Sequence, residues 1–263
     1  MTKKKKLSRE SEPAPNPRER PVADDTLPSP MGNPDQIQAA LERHFERVRA
    51  WQQTPEGAKA RARWEKDKLA KARAEREELC GLRGVPLDHE VRRYALDAHP
   101  DGQLFEAIRE AIGWQREQQE RTGGRVPAMR VLVGPPGTGK TCALAWACAS
   151  WQRRALYRTA DTLCALKKTD PEWREAVSVS LLCIDELGIE AYPEVLVELM
   201  LQRWTSGLLT LSASNLSVEE FISRYLSRAG ERLADRLTQQ RHRGLRTFVK
   251  ATWASYRGAE GRL

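Results

Sequence analysis

The sequence predicts an α/β fold, a three-layer sandwich in which helices cover both faces of a parallel β-sheet. Two observations lead to this prediction. Short apolar runs alternate with segments of helical periodicity from about residue 84 onward. A glycine-rich loop joins one apolar run to a helical segment, and another apolar run ends in two carboxylates. In open α/β sheets, ligands bind at the ends of strands where such residues lie. The 263 residues therefore allow one large α/β domain with an appended region.

The appended region is the N-terminal part of the chain, which has few large apolar residues. Residues 1–33 hold six of the fifteen prolines and start with a basic run, so we expect a disordered tail. We expect α-helix over residues 34–80, where apolar side chains first recur at helical spacing, at Ile37, Leu41, Phe45 and Val48. The part from Thr54 to Cys80 is rich in Ala, Lys, Arg and Glu. It could lie on DNA, bind a partner protein, or be a solvated helix or linker.

The α/β region follows in a regular order of elements. An amphipathic helix over residues 102–118 precedes the first strand, at Val131–Val133, and a packed helix over residues 142–151 follows that strand. The segment RALYRTADTLCALKK predicts a strand and a short helix, and Leu181–Ile184 a second buried strand. The remaining predicted elements are a helix that ends near Gly207, a strand that ends at Asn215, a helix in FISRYLSRAGERLADRLTQQ and a last strand in LRTFVKATW.

Charge and cysteine usage limit the class of protein. The net charge of +8 and the pI of about 9.4 favour an anionic partner such as nucleic acid, although a basic soluble surface would give the same values. No Cys-x-x-Cys pair occurs, which predicts reduced thiols in a cytoplasmic protein; the five cysteines are Cys80, Cys142, Cys148, Cys164 and Cys183. We expect neither a membrane span nor a secretory signal, because no apolar stretch is long enough.

The glycine-rich loop has the spacing Gly-x-x-x-x-Gly-Lys-Thr, which is typical of a phosphate-binding P-loop. Glycine lets the backbone approach a ligand, so that N–H groups of the loop and of the next helix converge on an anion. Lys140 would reach the β- and γ-phosphates of a nucleotide, and the Thr141 hydroxyl would bind Mg²⁺. The predicted nucleotide-binding residues are Gly134, Pro135, Pro136, Gly137, Thr138, Gly139, Lys140, Thr141 and Cys142.

Two carboxylates follow the second buried strand, in the segment SVSLLCIDELG. Asp185 and Glu186 stand at the carboxyl end of that strand, the edge where open α/β sheets bind ligands. We expect Asp185 in the Mg²⁺ shell and Glu186 as the general base that polarises the attacking water. An acidic turn without a catalytic role would look the same in isolation, but the P-loop 45 residues upstream favours the catalytic interpretation.

Several segments together resemble one branch of a known family. They are GPPGTGKT, LLCIDELG, LLTLSASNLS, ERLADRL and FVKATWASYRG. These segments are similar to those of the DnaC/IstB-like AAA+ ATPases, which include bacterial and phage helicase loaders and the ATPase subunits of some transposons. The resemblance covers roughly residues 80–258, and it implies a P-loop NTPase fold of the AAA+ type with ATP and Mg²⁺ as ligands. Residues 81–92, GLRGVPLDHEVR, look like the lead-in segment that this branch places near the adenine.

The resemblance also implies roles for residues near the end of the chain. Asn215 would be the sensor residue beside the attacking water, while Ser217 is the better candidate to cap the next helix. Arg236 would be an arginine finger that reaches the γ-phosphate of a neighbouring subunit, with Arg232 as the second choice. A finger that acts in trans requires an ATP-dependent homo-oligomer. The alternative for Arg236 is surface charge on a basic helix.

The expected domain order is a disordered basic tail (1–33), a helical region (34–80), the AAA+ ATPase domain (81–258) and a C-terminal tail (259–263). The first functional hypothesis is a helicase loader that hydrolyses ATP to assemble or remodel a DNA replication complex, with the N-terminal helices holding a replicative helicase. The second is a transposition helper that binds duplex DNA and recruits a transposase. The third is a nucleotide-gated scaffold with little turnover.

Two features depart from the branch that the sequence resembles. Helicase loaders have a longer helical insertion after the strand that corresponds to the one near Tyr157, and this insertion helps to engage single-stranded DNA. This chain has only DTLCALKKTDPEWREAVSVS between the strand near Tyr157 and the one at Leu181. The acid motif is Asp-Glu, where Asp-Asp is frequent in the branch. Asp-Glu is the common form in AAA+ proteins and favours hydrolysis.

Overall fold

The structure is a computed structural model, and it describes residues 34–97, 102–226 and 230–252. The predicted tails at residues 1–33 and 259–263 lie outside these residues, and so does the part of the segment FVKATWASYRG that begins at Trp253. The chain divides into two compact units between Ala74 and Glu75. This division lies inside a helix, Pro55–Leu82, which also contains the predicted domain boundary after Cys80.

The described part of the first unit consists of α1 (Pro34–Gln52) and the start of α2 (Pro55–Leu82). The Thr54 hydroxyl holds the turn between them, because it donates to the carbonyl of Trp51 at 2.7 Å and accepts the N–H of Gly57 at 3.1 Å. Gly57 is the only buried residue between positions 41 and 74. These helices therefore have almost no core, as their charged, alanine-rich composition indicates.

Within the described residues, the second unit contains five strands and eight further α-helices. The strands are β1 (Ala128–Val133), β2 (Ala155–Thr159), β3 (Leu181–Leu187), β4 (Leu209–Ser214) and β5 (Phe248–Lys250). The helices are α3 (His89–Leu96), α4 (Gln103–Thr122), α5 (Lys140–Ser150), α6 (Ala160–Cys164), α7 (Pro171–Ser178), α8 (Pro193–Thr205), α9 (Val218–Phe221) and α10 (Glu231–His242). A π-helical turn, Ile222–Leu226, follows α9.

The strands form one sheet in the order β2-β3-β4-β1-β5, and all neighbours are parallel. Side chains of β1 alternate between two cores. Ala128 and Leu132 pack with α3, α4 and α5, whereas Met129 and Val131 pack with helices α6 to α10 on the other face. Both faces are therefore covered, which explains the continuous apolar runs of the strands. The predicted three-layer α/β sandwich with a parallel sheet is confirmed.

Two helical details differ from the sequence prediction. The connection from β2 to β3 contains α7, which begins after Asp170 and buries Trp173 and Ala176. Its eight residues are too few for helical periodicity to be recognised in the sequence. The helix predicted in FISRYLSRAGERLADRLTQQ starts as α9, continues as the π-helical turn and resumes as α10. Within the described ranges, every helix is too short or too polar to cross a membrane.

Candidate nucleotide site

The loop between β1 and α5 turns at its glycines. Gly134, Gly137 and Gly139 have φ angles of 143°, 79° and 82°, a region that residues with a Cβ atom rarely adopt. A Cβ atom on Gly134 would also lie 2.8 Å from the carbonyl oxygen of Ala251. The backbone therefore requires glycine here, and the loop leads directly into the first turn of α5, as the P-loop spacing predicts.

Two prolines and a threonine complete the turn of this loop. Pro135 and Pro136 are exposed, whereas Thr138 is buried. The Thr138 hydroxyl donates a hydrogen bond to the carbonyl of Pro135 at 3.0 Å, which closes the loop on itself. The exposed prolines restrict the backbone without competing for the loop's N–H groups, since proline has none.

The amino end of α5 is open to an anion. Gly139 is its N-cap, no side chain caps the helix, and its first turn contains no acidic residue. The first N–H groups of a helix have no partner within the helix, and the helix dipole is positive at this end. Thr141 and Cys142 lie half-buried in this turn. The turn can therefore present N–H groups and the Thr141 hydroxyl to a phosphate.

Lys140 is held against the loop by its own ammonium group. Its Nζ donates to the carbonyls of Gly134 at 2.8 Å and Pro135 at 2.7 Å, and to the Thr138 hydroxyl at 3.3 Å. Burial lowers the pKa of Lys140, and the negative charge of Asp185 opposes that shift. The ammonium group therefore contacts the loop, and the phosphate oxygens of a ligand could replace the loop oxygens that now accept its hydrogen bonds.

Asp185 is a buried carboxylate in β3, with 6% of its surface exposed. Its Oδ1 accepts the N–H of Glu186 at 2.9 Å, and its Oδ2 accepts the hydroxyl of Tyr157. Among the described residues, no cationic side chain forms an ion pair with it within 4.0 Å. Burial of a carboxylate without a cationic partner is unfavourable, so a bound cation would stabilise this position.

Glu186 has an unusual backbone conformation for its residue type. Its φ is 58°, and within the described ranges it is the only residue other than glycine with a positive φ. The pairing of β3 with β4 shifts register between Ile184 and Leu187, which gives the strand a bulge at this point. The side chain is exposed. A left-handed glutamate costs on the order of 1–3 kcal/mol, and such strain clusters at functional sites.

Asn215 follows the end of β4, which lies between β1 and β3 in the sheet. The last residue of β4, Ser214, is in register with Val133 of β1 and Leu187 of β3. Because parallel strands end at a common edge, this order brings the exposed Asn215 to the edge shared by the P-loop and the acid motif. Ser217 caps α9 through a capping box, so Asn215 is not the cap.

Arg232 and Arg236 are exposed on α10. The Arg236 guanidinium donates to the side chain of Gln239 at 3.2 Å, on the same helix. Gln240 fixes the end of this helix to the sheet, because its side chain exchanges two hydrogen bonds of 2.8 Å with the backbone of Met129. Both arginines are therefore exposed to solvent on a helix that is anchored to the sheet, which is compatible with an arginine finger and with a surface charge.

Tyr157 in β2 and Arg83 after α2 were not predicted as site residues. Tyr157 is 2% exposed, and burial and the neighbouring Asp185 raise its pKa well above the ordinary value, so the phenol keeps its proton and donates. Arg83 donates to carbonyls at the end of α5, of Cys148 and Ala149, and to that of Arg153 beyond it. The lead-in segment therefore packs on the P-loop helix, and its predicted position near the adenine stays a prediction.

The donor set at the sheet edge fits magnesium better than a metal held by protein alone. Within the described parts of the chain, no group of three or more His, Cys, Asp or Glu side chains could hold a metal ion. Asp185 and Thr141 offer one carboxylate and one hydroxyl. Mg²⁺ is usually bound through one or two such groups together with substrate phosphates and water, so these two residues fit it when a nucleotide is bound.

Comparison with solved structures finds chains of low sequence identity. The chain is similar to DnaI, with 20% identity and a TM-score of 0.42 over 60% of this chain and 86% of that one. It is similar to AMPPCP-bound DnaA from Aquifex aeolicus, with 19% identity and a TM-score of 0.40 over 59% of this chain and 49% of that one. For domain III of DnaA from Thermotoga maritima the values are 20% and 0.38, over 63% and 68%.

No protein-family model and no curated protein sequence matches the chain. The fold assignment therefore rests on this chain's own parallel sheet and on the glycine-rich loop that leads from β1 into α5. Both are those of an α/β P-loop NTPase, which is the fold that the sequence resemblance implies.

Proposed function

We propose that this chain is an ATPase of the AAA+ type that binds and hydrolyses ATP at the carboxyl edge of its sheet. One observation carries the proposal: three motifs that are far apart in the sequence end at the same edge. β1 leads into the P-loop, β3 carries Asp185 and Glu186, and β4, which ends before Asn215, lies between them. A phosphate cradle, two carboxylates and a polar amide at one edge are the groups that nucleotide hydrolysis requires.

The phosphates would bind the N–H groups of residues 134–142 other than the two prolines, and Lys140 would exchange its carbonyl partners for phosphate oxygens. Glu186 would accept a proton from the attacking water, and Asn215 would orient that water by hydrogen bonding. The exposed position of both side chains supports these roles, since each must reach solvent. Mg²⁺, when bound by Thr141 and Asp185, would supply positive charge that neutralises the phosphate oxygens.

We further propose that subunits assemble around ATP, with Arg236 of one subunit at the nucleotide of the next and Arg232 as the second choice. The exposure of both side chains and the anchoring of α10 through Gln240 support this arrangement. An arginine suits the role because its charge is permanent and its donors are forked.

The client is proposed from the sequence resemblance and from charge. A helicase-loader role, in the assembly of a DNA replication complex, is the first choice, and a transposition helper on duplex DNA is the alternative. The net charge of +8 over the whole chain supports an anionic partner such as DNA, and the exposed apolar side chains of the N-terminal helices, Phe45 and Leu69 among them, support protein binding there. A nucleotide-gated scaffold is the remaining alternative if turnover is absent.

The ATPase proposal is tested with Lys140→Ala and a matched control, Lys168→Ala. Lys168 is a surface lysine, 63% exposed in its side chain. We expect Lys140→Ala to lose ATP binding and turnover while it keeps its unfolding temperature, and Lys168→Ala to behave as the parent. Unchanged ATP affinity and turnover in folded Lys140→Ala would contradict the proposed site.

The client proposal is tested by comparing the full chain with a variant that lacks residues 1–74, a cut that follows the division at Ala74. Affinities for single-stranded and duplex DNA of equal length are measured from 50 to 200 mM salt. We expect binding that falls steeply with salt and weakens on deletion. Preference for duplex would favour the transposition helper, and ATP-dependent capture of a replicative helicase would favour the loader.

A further inference from the structure

Tyr157 contacts the carboxylate that is proposed to hold the metal. We propose that Tyr157 is a positioning residue, which fixes the orientation of Asp185 through its hydroxyl and thereby sets the affinity of the site for a divalent cation. The inference rests on the proposed function, because it concerns the same site. Its ligand is a divalent cation bound together with a nucleoside triphosphate.

The geometry explains why a tyrosine at this position acts on the carboxylate. Tyr157 and Asp185 belong to adjacent parallel strands, in which Tyr157 pairs with Cys183 and Thr159 pairs with Asp185. The Tyr157 side chain therefore lies diagonally from Asp185 across the strand pair. Its phenol donates to Oδ2 of Asp185, while the N–H of Glu186 donates to Oδ1. Each oxygen is thus held by one donor and keeps a second lone pair for a ligand.

Packing alone does not account for the hydroxyl. Tyr157 is 2% exposed in the core formed with α3, α4 and α5, where a phenylalanine would fill the same space. A buried hydroxyl needs a partner, and here the partner is a carboxylate that lacks an ion pair in the described part of the chain. Groups that orient a metal ligand in this way typically affect metal affinity or activity 10–100-fold.

The backbone of Tyr157 is tied to the P-loop helix through Arg83. The Tyr157 N–H donates to the Arg83 carbonyl at 2.8 Å. The Arg83 guanidinium in turn donates to the carbonyl of Cys148, near the end of α5, and to that of Arg153 at 3.1 Å. Arg83 therefore connects α5, which begins with Lys140, to Tyr157, which contacts the Asp185 carboxylate.

The test is Tyr157→Phe, with Tyr225→Phe as the matched control. Tyr225 is also buried, at 1% exposed, and its hydroxyl also donates to a buried carboxylate, Glu190. The control thus removes the same atom from a similar environment outside the proposed site. Nucleotide affinity is measured with a fluorescent ATP analogue in EDTA. Mn²⁺ affinity in the presence of a non-hydrolysable ATP analogue is measured by electron paramagnetic resonance.

We expect Tyr157→Phe to bind metal-free nucleotide as the parent does and to lose at least about tenfold in Mn²⁺ affinity, while Tyr225→Phe keeps both affinities. Equal Mn²⁺ affinity in Tyr157→Phe and the parent would overturn the proposal, and so would an equal loss in both variants. If Tyr157→Phe does not fold, Tyr157→Met removes the same hydroxyl with a more adaptable side chain and is judged by the same result. A parent protein that binds neither nucleotide nor Mn²⁺ would overturn the proposed function and the role of Tyr157 with it.

Discussion

Asp185 and Glu190 are buried carboxylates five residues apart, and each accepts a hydrogen bond from a buried tyrosine. They differ in how their charge is compensated. Glu190 also accepts Nε of Arg224 at 3.0 Å and the N–H of Gly188 at 2.9 Å. Its backbone carbonyl accepts a further donor from Arg224. Asp185 forms no ion pair with any described residue.

We interpret the difference as one between a carboxylate with a structural role and a carboxylate that is a candidate for ligand binding. A buried acid with a guanidinium, a hydroxyl and an N–H has its acceptor capacity largely satisfied, so Glu190 ties the loop after β3 to the π-helical turn. A buried acid that lacks an ion pair and lies at the end of a strand beside a P-loop is a candidate for cation binding. Burial alone would not have distinguished the two residues.

The largest expected effect on turnover is that of a substitution at Arg236. The triphosphate needs positive charge beyond that of Lys140 during hydrolysis, and we expect Arg236 of a neighbouring subunit to supply it. Arg236→Ala should therefore lose on the order of 10³-fold in turnover. Mixed with Lys140→Ala, it should recover part of the activity that each variant lacks alone.

Steady-state ATPase rates are measured across mixing ratios, with light scattering to confirm mixed oligomers. Mixtures that assemble and yet never exceed the sum of the separate variants would exclude action in trans. An Arg236→Ala variant as active as the parent would make this arginine surface charge and turn attention to Arg232.

A smaller effect is expected at the residue next to Asp185. Glu186→Gln keeps the shape of the side chain and removes the proposed general base, so ATP should bind and persist while turnover falls by roughly 10²-fold or more. Single-turnover hydrolysis and nucleotide retention after gel filtration are measured. Glu194→Gln, an exposed acid in the first turn of α8, serves as the control. Parent-like turnover in Glu186→Gln would move the base elsewhere.

The smallest effect on activity, and the largest on stability, is expected when Glu190 loses its ion-pair partner. Arg224→Ala leaves Glu190 buried without its cation, which should lower the free energy of unfolding by up to about 3 kcal/mol. The value lies at the low end for buried pairs because the Arg224 side chain is 33% exposed. Metal-free nucleotide affinity should not change. Thermal unfolding of Arg224→Ala and Lys140→Ala is measured side by side. A loss of stability in Lys140→Ala alone would contradict the structural role of the ion pair between Arg224 and Glu190.

The parts of the site that the sequence predicted are those fixed by local backbone geometry. The spacing of Gly134, Gly139 and Lys140 reflects φ angles and a helix start that a short segment determines by itself. The two acids after an apolar run follow from the rule that ligands bind at the carboxyl ends of parallel strands, whereas Asn215 was expected from the family resemblance. The three-layer fold was predictable because alternating strands and helices leave few possible arrangements of a parallel sheet.

The parts that sequence could not predict depend on contacts between distant residues. Tyr157 meets Asp185 only because β2 and β3 pair in one particular register. Glu190 and Arg224 are 34 residues apart, and their contact depends on where the π-helical turn packs. No periodicity or motif distinguishes such side chains from ordinary core or surface residues, so their partners became known only from the fold.

Asp185, which has no ion pair within the described residues, and not the ion-paired Glu190, is proposed to complete a nucleotide-dependent cation site. The most direct measurement is Mn²⁺ binding, followed by electron paramagnetic resonance with a non-hydrolysable ATP analogue, in the parent, Asp185→Asn and Glu190→Gln. We predict that the parent and Glu190→Gln bind Mn²⁺ together with the analogue and that Asp185→Asn does not, although it still binds the analogue in EDTA. Parent-like Mn²⁺ binding in folded Asp185→Asn would contradict the account.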